Sequence, residues 1–117
     1  MSWASLEGVL EGFTISDNEV KFKTSEGEWH FHSEGECCAS AFIHEPLSSK
    51  EELSGLIGMT IVEAREVNQG RDADSEERYN VRDVHHYILQ CDKGSATLVL
   101  YVEHNGYYGG SLVGGKV

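Results

Sequence analysis

Residues 13–32 read FTISDNEVKFKTSEGEWHFH, three short runs of alternating apolar and polar side chains separated by Asp17-Asn18 and Glu26-Gly27. A period of two marks a half-buried β-strand, and both dipeptides are turn formers. With Asp17-Asn18 as a two-residue turn, Ile15 faces Val20 and Phe13 faces Phe22. With Glu26-Gly27 as the next turn, Phe22 faces Phe31 and Thr24 faces Trp29. This register gathers the large apolar side chains on one face and leaves Lys21, Lys23, His30 and His32 on the other. The stretch predicts an antiparallel meander with one wet side.

The same logic extends in both directions. A strand is expected over 59–67, and residues 81–91 and 96–103 form a hairpin about Lys93-Gly94. Its register pairs Cys91 with Ala96, Leu89 with Leu98 and Tyr87 with Leu100. Asn105-Gly106 is the strongest two-residue hairpin signal and is expected to return 107–113 beside the preceding strand. Residues 69–78 hold a single apolar residue and read as an exposed acidic loop. One helix is expected near 49–57: Ser48 and Ser49 offer caps, Glu51 and Glu52 follow at capping-box spacing, and Leu53, Leu56 and Ile57 share a face. Pro46 closes the strand before it, and Gly58 closes the helix.

Residues 6–15 (LEGVLEGFTI) and 53–61 (LSGLIGMTI) look alike, each reading as a helix end, a glycine and a strand. Ser2 or Ser5 is then the candidate cap of a short N-terminal helix ending at Gly12. The expected fold is α+β: about seven or eight strands in antiparallel meanders and hairpins, one clear helix, a candidate short N-terminal helix, and two related αβ halves as an alternative organisation.

A length of 117 residues is one domain spanning 1–117, long enough to bury a core without metal or disulfide support. No apolar run approaches the roughly 18 residues of a membrane helix. Residues 1–12 lack the basic and apolar regions of a signal peptide. Three cysteines, two of them adjacent (Cys37, Cys38), do not make a secreted disulfide framework, so a cytoplasmic setting is expected. The net charge is −11 and unevenly spread. Eight acids face two lysines in 1–38, while 79–117 are balanced with three of each sign. Such a field repels nucleic acid and attracts basic protein surfaces, although solubility alone also accounts for it.

Two clusters bear chemistry. His30, His32, Glu34, Glu36, Cys37 and Cys38 crowd one stretch, and His32, Glu36, Cys37 and Cys38 are a conceivable zinc set. The spacing matches no common zinc module, and wet-face histidines followed by buried cysteines explain the residues without metal. Neither cysteine has the positive neighbour a nucleophile needs, since Glu34 and Glu36 stand beside them. Neither a nucleophile elbow nor a phosphate-cradling glycine loop occurs, so catalysis and a cofactor are not expected. The second cluster, His104, Asn105, Gly106, Tyr107 and Tyr108, with His85 and His86 as candidate neighbours, reads first as a hairpin turn. Tyr107 and Tyr108 could also offer one ring to a partner.

The residues Phe22, Thr24, Ser25, Gly27, His32, Glu36, Cys37 and Cys38 carry an H-x3-[D/E]-C-C signature, continued by Leu53, Leu56, Ile57 and Gly58 and closed by Asn105 to Tyr108. This pattern resembles a family of small acidic uncharacterised proteins of phages and prophages. It departs at Ala39, where members carry an acid, at Gly109, where they carry a serine, and in being one residue shorter after Leu53. The resemblance implies a phage-type context and no established activity. Together with the charge it leads to a non-catalytic binding protein antagonising a host nucleic-acid-handling defence complex by DNA mimicry, in the manner of anti-CRISPR or anti-restriction inhibitors. The expected contacts are Glu26, Glu28, Glu34, Glu36, Asp72, Asp74, Glu76 and Glu77, with Tyr107 and Tyr108. The alternative is a small-molecule-sequestering or zinc-binding accessory protein using the His/Glu/Cys cluster.

Overall fold

The computed structural model describes residues 3–35, 39–44, 50–71, 81–104 and 109–117. Alternation does what it predicts: strands β1 (Leu10–Ile15), β2 (Glu19–Thr24) and β3 (Gly27–Gly35) form a meander with Val20, Phe22, Trp29 and Phe31 buried. Lys21, Lys23, His30 and His32 are exposed on the other face. The Asp17-Asn18 turn holds Ile15 opposite Val20 and Phe13 opposite Phe22. Strand β8 (Gly110–Lys116) completes this sheet, whose order is β1-β2-β3-β8. A second sheet, ordered β4-β7-β6-β5, contains β4 (Ser40–Ile43), β5 (Ile61–Arg71), β6 (Val81–Cys91) and β7 (Gly94–His104). Every pairing is antiparallel.

The α+β expectation needs correcting: the protein is mostly antiparallel β, with eight strands and one short α-helix, α1 (Lys50–Gly55), among the described residues. The expected caps Ser48 and Ser49, and Pro46, lie outside those residues. The N-terminal helix is instead a single 3₁₀ turn, Trp3–Ser5, because Leu10 to Gly12 are already in β1. The two look-alike segments do not head related halves. They bond to each other: Leu10 N–H donates to Met59 O, Gly58 N–H to Leu10 O and Ile61 N–H to Gly8 O, around a Val9–Thr60 bridge. The first segment is thus committed to extended backbone, stitching the two sheets. The halves also interleave, since β4 belongs to the second sheet and β8 to the first.

Two hairpin registers differ from expectation by two residues. Thr24 pairs with Gly27 about Ser25-Glu26, so Phe22 faces Trp29 and Val20 faces Phe31. Cys91 pairs with Gly94 about Asp92-Lys93, so Leu89 faces Ala96 and Tyr87 faces Leu98. Each glycine opens a strand rather than filling the turn: Gly27 has a φ of +141°, which other residues rarely adopt, and Gly94 faces a close side chain. A Cβ on Gly27 would lie 2.7 Å from Lys116 Cε, and one on Gly94 would lie 3.2 Å from Leu56 Cδ2.

The strand expected over 59–67 runs instead from Ile61 to Arg71, so residues 69–71 belong to β5 rather than to an acidic loop. The remainder of that loop, 72–78, lies outside the described residues, as does the Asn105-Gly106 turn. The strand after it does not return beside β7. Both edges of β7 are already occupied, by β4 and β6, so β8 pairs with the free edge of β3.

Between the sheets, Trp3 packs its ring 5.5 Å from Phe22, 5.3 Å from Phe31 and 5.5 Å from Tyr87. Its indole N–H donates to Ile88 O at 3.2 Å. Leu6, Leu10, Leu53, Leu56, Leu98 and Leu100 fill the rest. Among the described residues no helix is long and apolar enough to cross a membrane.

Gly114 tests the β3–β8 junction. Its φ is +136°, and an added Cβ would collide with the His30 carbonyl oxygen. Gly114→Ala is expected to cost about 1–3 kcal/mol in urea unfolding and to expose the β8 amides to hydrogen exchange. Gly55→Ala, on the open face of α1 with nothing within 4 Å, should instead stabilise by up to about 1 kcal/mol.

Candidate functional site

The expected partner surface begins on β3, where Glu28, His30, His32 and Glu34 project from one exposed face. Lys23 stands across from Glu28, Lys21 across from His30 and Glu19 across from His32. Charges of both signs are therefore interleaved. Glu28 and Glu34 lie about 20 Å apart along the strand, six residues at ~3.3 Å each. Glu26 is exposed in the turn at the near end. On this face the Lys21–Glu19 ion pair at 3.8 Å is solvent-exposed and contributes at most about 1 kcal/mol, and His32 Nε2 lies 3.5 Å from Glu34, also exposed.

The other expected contacts, Glu36, Asp72, Asp74, Glu76, Glu77, Tyr107 and Tyr108, lie outside the described residues. So do Cys37 and Cys38 of the conceivable zinc set, whose described member, His32, is paired with Glu34. Among the described residues no group of three His, Cys, Asp or Glu side chains could hold a metal ion.

A polar constellation that takes in His104 and His85 of the second cluster, but with carboxylate partners not expected for them, lies on the core-facing side of the second sheet. Asp83, His85 and Tyr87 occupy alternate positions of β6, so all three share the face of Leu89 and Cys91. His104 Nε2 lies 2.7 Å from Asp83 Oδ2, with the histidine side chain only 3% exposed. His85 Nδ1 lies 3.3 Å from Glu66 Oε1. Tyr87 accepts the Leu112 N–H at 3.0 Å, tying the two sheets together. Burial raises the Tyr87 phenol above its ordinary value, an effect the Glu66 carboxylate reinforces and the Leu112 N–H opposes. Burial likewise raises the Cys91 thiol, with Asp92 adding to it, so this cysteine is a protonated core residue at neutral pH.

The arrangement pins β5, β6 and β7 together through two histidine–carboxylate pairs. A carboxylate that fixes an imidazole is also a familiar element of proton-transfer sites. The sequence signal was the Asp83-x-His85-x-Tyr87 alternation. On the opposite face of this sheet Tyr101 is surrounded by His44, stacked at 4.6 Å, Phe42 at 5.8 Å and the Arg82 guanidinium at 4.6 Å.

Fold and site together define a two-sheet antiparallel β domain with a mixed-charge outer face and two His–carboxylate pairs, of which only His104 is buried. The chain belongs to the family described as a domain of unknown function, DUF7448, whose model matches residues 5–113. No curated protein and no solved structure matches it.

Because the folded phenol of Tyr87 holds its proton more tightly than an unfolded one, its contribution to stability is intact below the ordinary value of 10.0 and declines as pH rises beyond it. Tyr87→Phe should flatten this alkaline decline in urea midpoints measured from pH 8 to 11. At neutral pH the same variant should be less stable by about 1–2 kcal/mol, since the Leu112 N–H loses its acceptor.

Proposed function

We propose that this domain is a non-catalytic binding protein that presents carboxylates to a basic protein surface, in a phage-type context that of a host nucleic-acid-handling defence complex. Its carboxylates take the place of phosphates there, as in an anti-CRISPR or anti-restriction inhibitor. The observation that carries the reading is a net charge of −11 concentrated outside residues 79–117. A field of that sign steers basic partners and excludes nucleic acid itself.

The stitch between the sheets adds a local argument. Ser25 N–H bonds Val9 O, Val9 bridges to Thr60, and Thr60 N–H bonds the Asp92 carboxylate. The chain positions of Glu7, Glu26 and Asp92 therefore converge at one end of the molecule, with all three side chains exposed. Lys93 beside Asp92 and Lys116 against Gly27 temper the negative charge here, as Lys21 and Lys23 do on the outer face of β3.

Binding of the purified domain to purified nucleic-acid-binding defence complexes, followed across a salt series, tests the proposal. Reversing Glu7, Glu26 and Asp92 to Lys, or separately Asp72, Asp74, Glu76 and Glu77, should weaken capture by about tenfold or more, and salt should weaken the parent protein similarly. Capture indifferent to salt and to both reversal sets would sink the proposal.

A further inference from the structure

The outer face of the first sheet carries a feature at odds with the charge of the chain. A groove of about 240 Å³ opens between β1, β2 and β3, walled by Thr14, Lys21, Lys23, Glu28 and His30. Phe13 and Phe22 also line it. The Phe22 ring is in the core, so that residue reaches the groove only through its main chain.

The strand registers explain the shape. Lys21 stands between Thr14 on β1 and His30 on β3, a row of hydroxyl, ammonium and imidazole. Lys23 stands between Gly12 and Glu28. Gly12 places no side chain there, and a Cβ at that position would meet nothing within 4 Å, so the space beside Lys23 is open. The two lysines are alternate residues of one strand, which sets their stems about 7 Å apart on the same face. Juxtaposed ammonium groups repel each other. Two carboxylates offer counter-charge, Glu19 at 3.8 Å from Lys21 and Glu28 across from Lys23, and both are solvent-exposed, so neither neutralises its lysine strongly.

We infer that this groove is a binding site for a small dianionic oxyanion, held between the Lys21 and Lys23 ammonium groups with Thr14 donating a hydroxyl hydrogen bond. Two cations at this spacing satisfy two negative charges on one small molecule, and charge-assisted bonds of this type are the strong ones. A groove of this size admits a ligand smaller than a typical drug. A nucleic-acid strand is excluded by the −11 charge it would have to approach along its length. Glu28 opposes the anion from the Lys23 side and limits affinity. The inference does not depend on the proposed protein partner, which meets carboxylates elsewhere.

Amide chemical shifts of the full chain, titrated at constant ionic strength with glycerol phosphate and separately with succinate, test it. Saturable shifts confined to residues 12–14, 21–23 and 28–30 are expected with at least one of the two. Glycerol phosphate alone would assign a phosphoryl ligand, and succinate alone a dicarboxylate. The double variant Lys21→Gln/Lys23→Gln should bind about tenfold or more weakly. Glu28→Gln should bind several-fold more tightly, an opposite sign that no folding defect produces. Lys93→Gln, in the β6–β7 turn, should bind like the parent. Absence of saturation with both ligands, unchanged binding in the lysine double variant, or weaker binding in Glu28→Gln would overturn the inference.

Discussion

The Trp3 side chain is the contact on which the architecture turns. It meets Phe22 and Phe31 of one sheet and Tyr87 of the other, while its indole N–H is satisfied by the Ile88 carbonyl. An aromatic of this size removes a large apolar area from water and brings edge-to-face contacts beyond that area. A single 3₁₀ turn delivers it, and a longer helix is ruled out by the next constraint. Residues 8–10 exchange hydrogen bonds with 58–61, Val9 and Leu10 extended and Gly8 and Gly58 turning the chain at φ +97° and +92°. The plug and the stitch are therefore supplied by one short N-terminal segment, each joining the two sheets.

From this follows what the sequence could and could not disclose. Face assignment was legible throughout the meander and the β6–β7 hairpin, even though two registers were displaced. A shift of two residues preserves the side of the sheet to which each side chain points, whereas a shift of one inverts it. The displacement arose at Gly27 and Gly94. Glycine near a turn usually signals an unusual backbone angle, but Gly94 has no positive φ, and what marks it is that Leu56, just past the helix, lies close against it. That contact joins residues 38 apart and leaves no local trace.

The sites divide along the same line. The mixed-charge face of β2 and β3 was legible because its residues are neighbours in an alternating run. The Asp83–His104 pair was not, although both residues lie on the core-facing side at either register. Recognising it required treating His104 as the end of a buried strand face rather than the start of a turn. The N-terminal helix was misread for a related reason. The run LEGVLEG has helical spacing, but propensity yields to the hydrogen bonds that the 58–61 segment demands.

Charge on this chain is better understood by position than by sum. The conserved parity of β2 and β3 keeps Lys21, Lys23 and His30 together on one face, while the stitched end gathers Glu7, Glu26 and Asp92. Beyond about 8–10 Å, salt screens each group from the other, so the Lys21 and Lys23 charges act locally on a molecule of net charge −11. The long-range field and the short-range arrangement of charge are therefore separate properties of this surface. The exposed edge of β5 fits this division as well. Bulges fall at Val62 and Gln69, and Glu63, Arg65 and Glu66 are exposed between them, which discourages pairing with another strand edge. That edge is thereby protected from the addition of another strand.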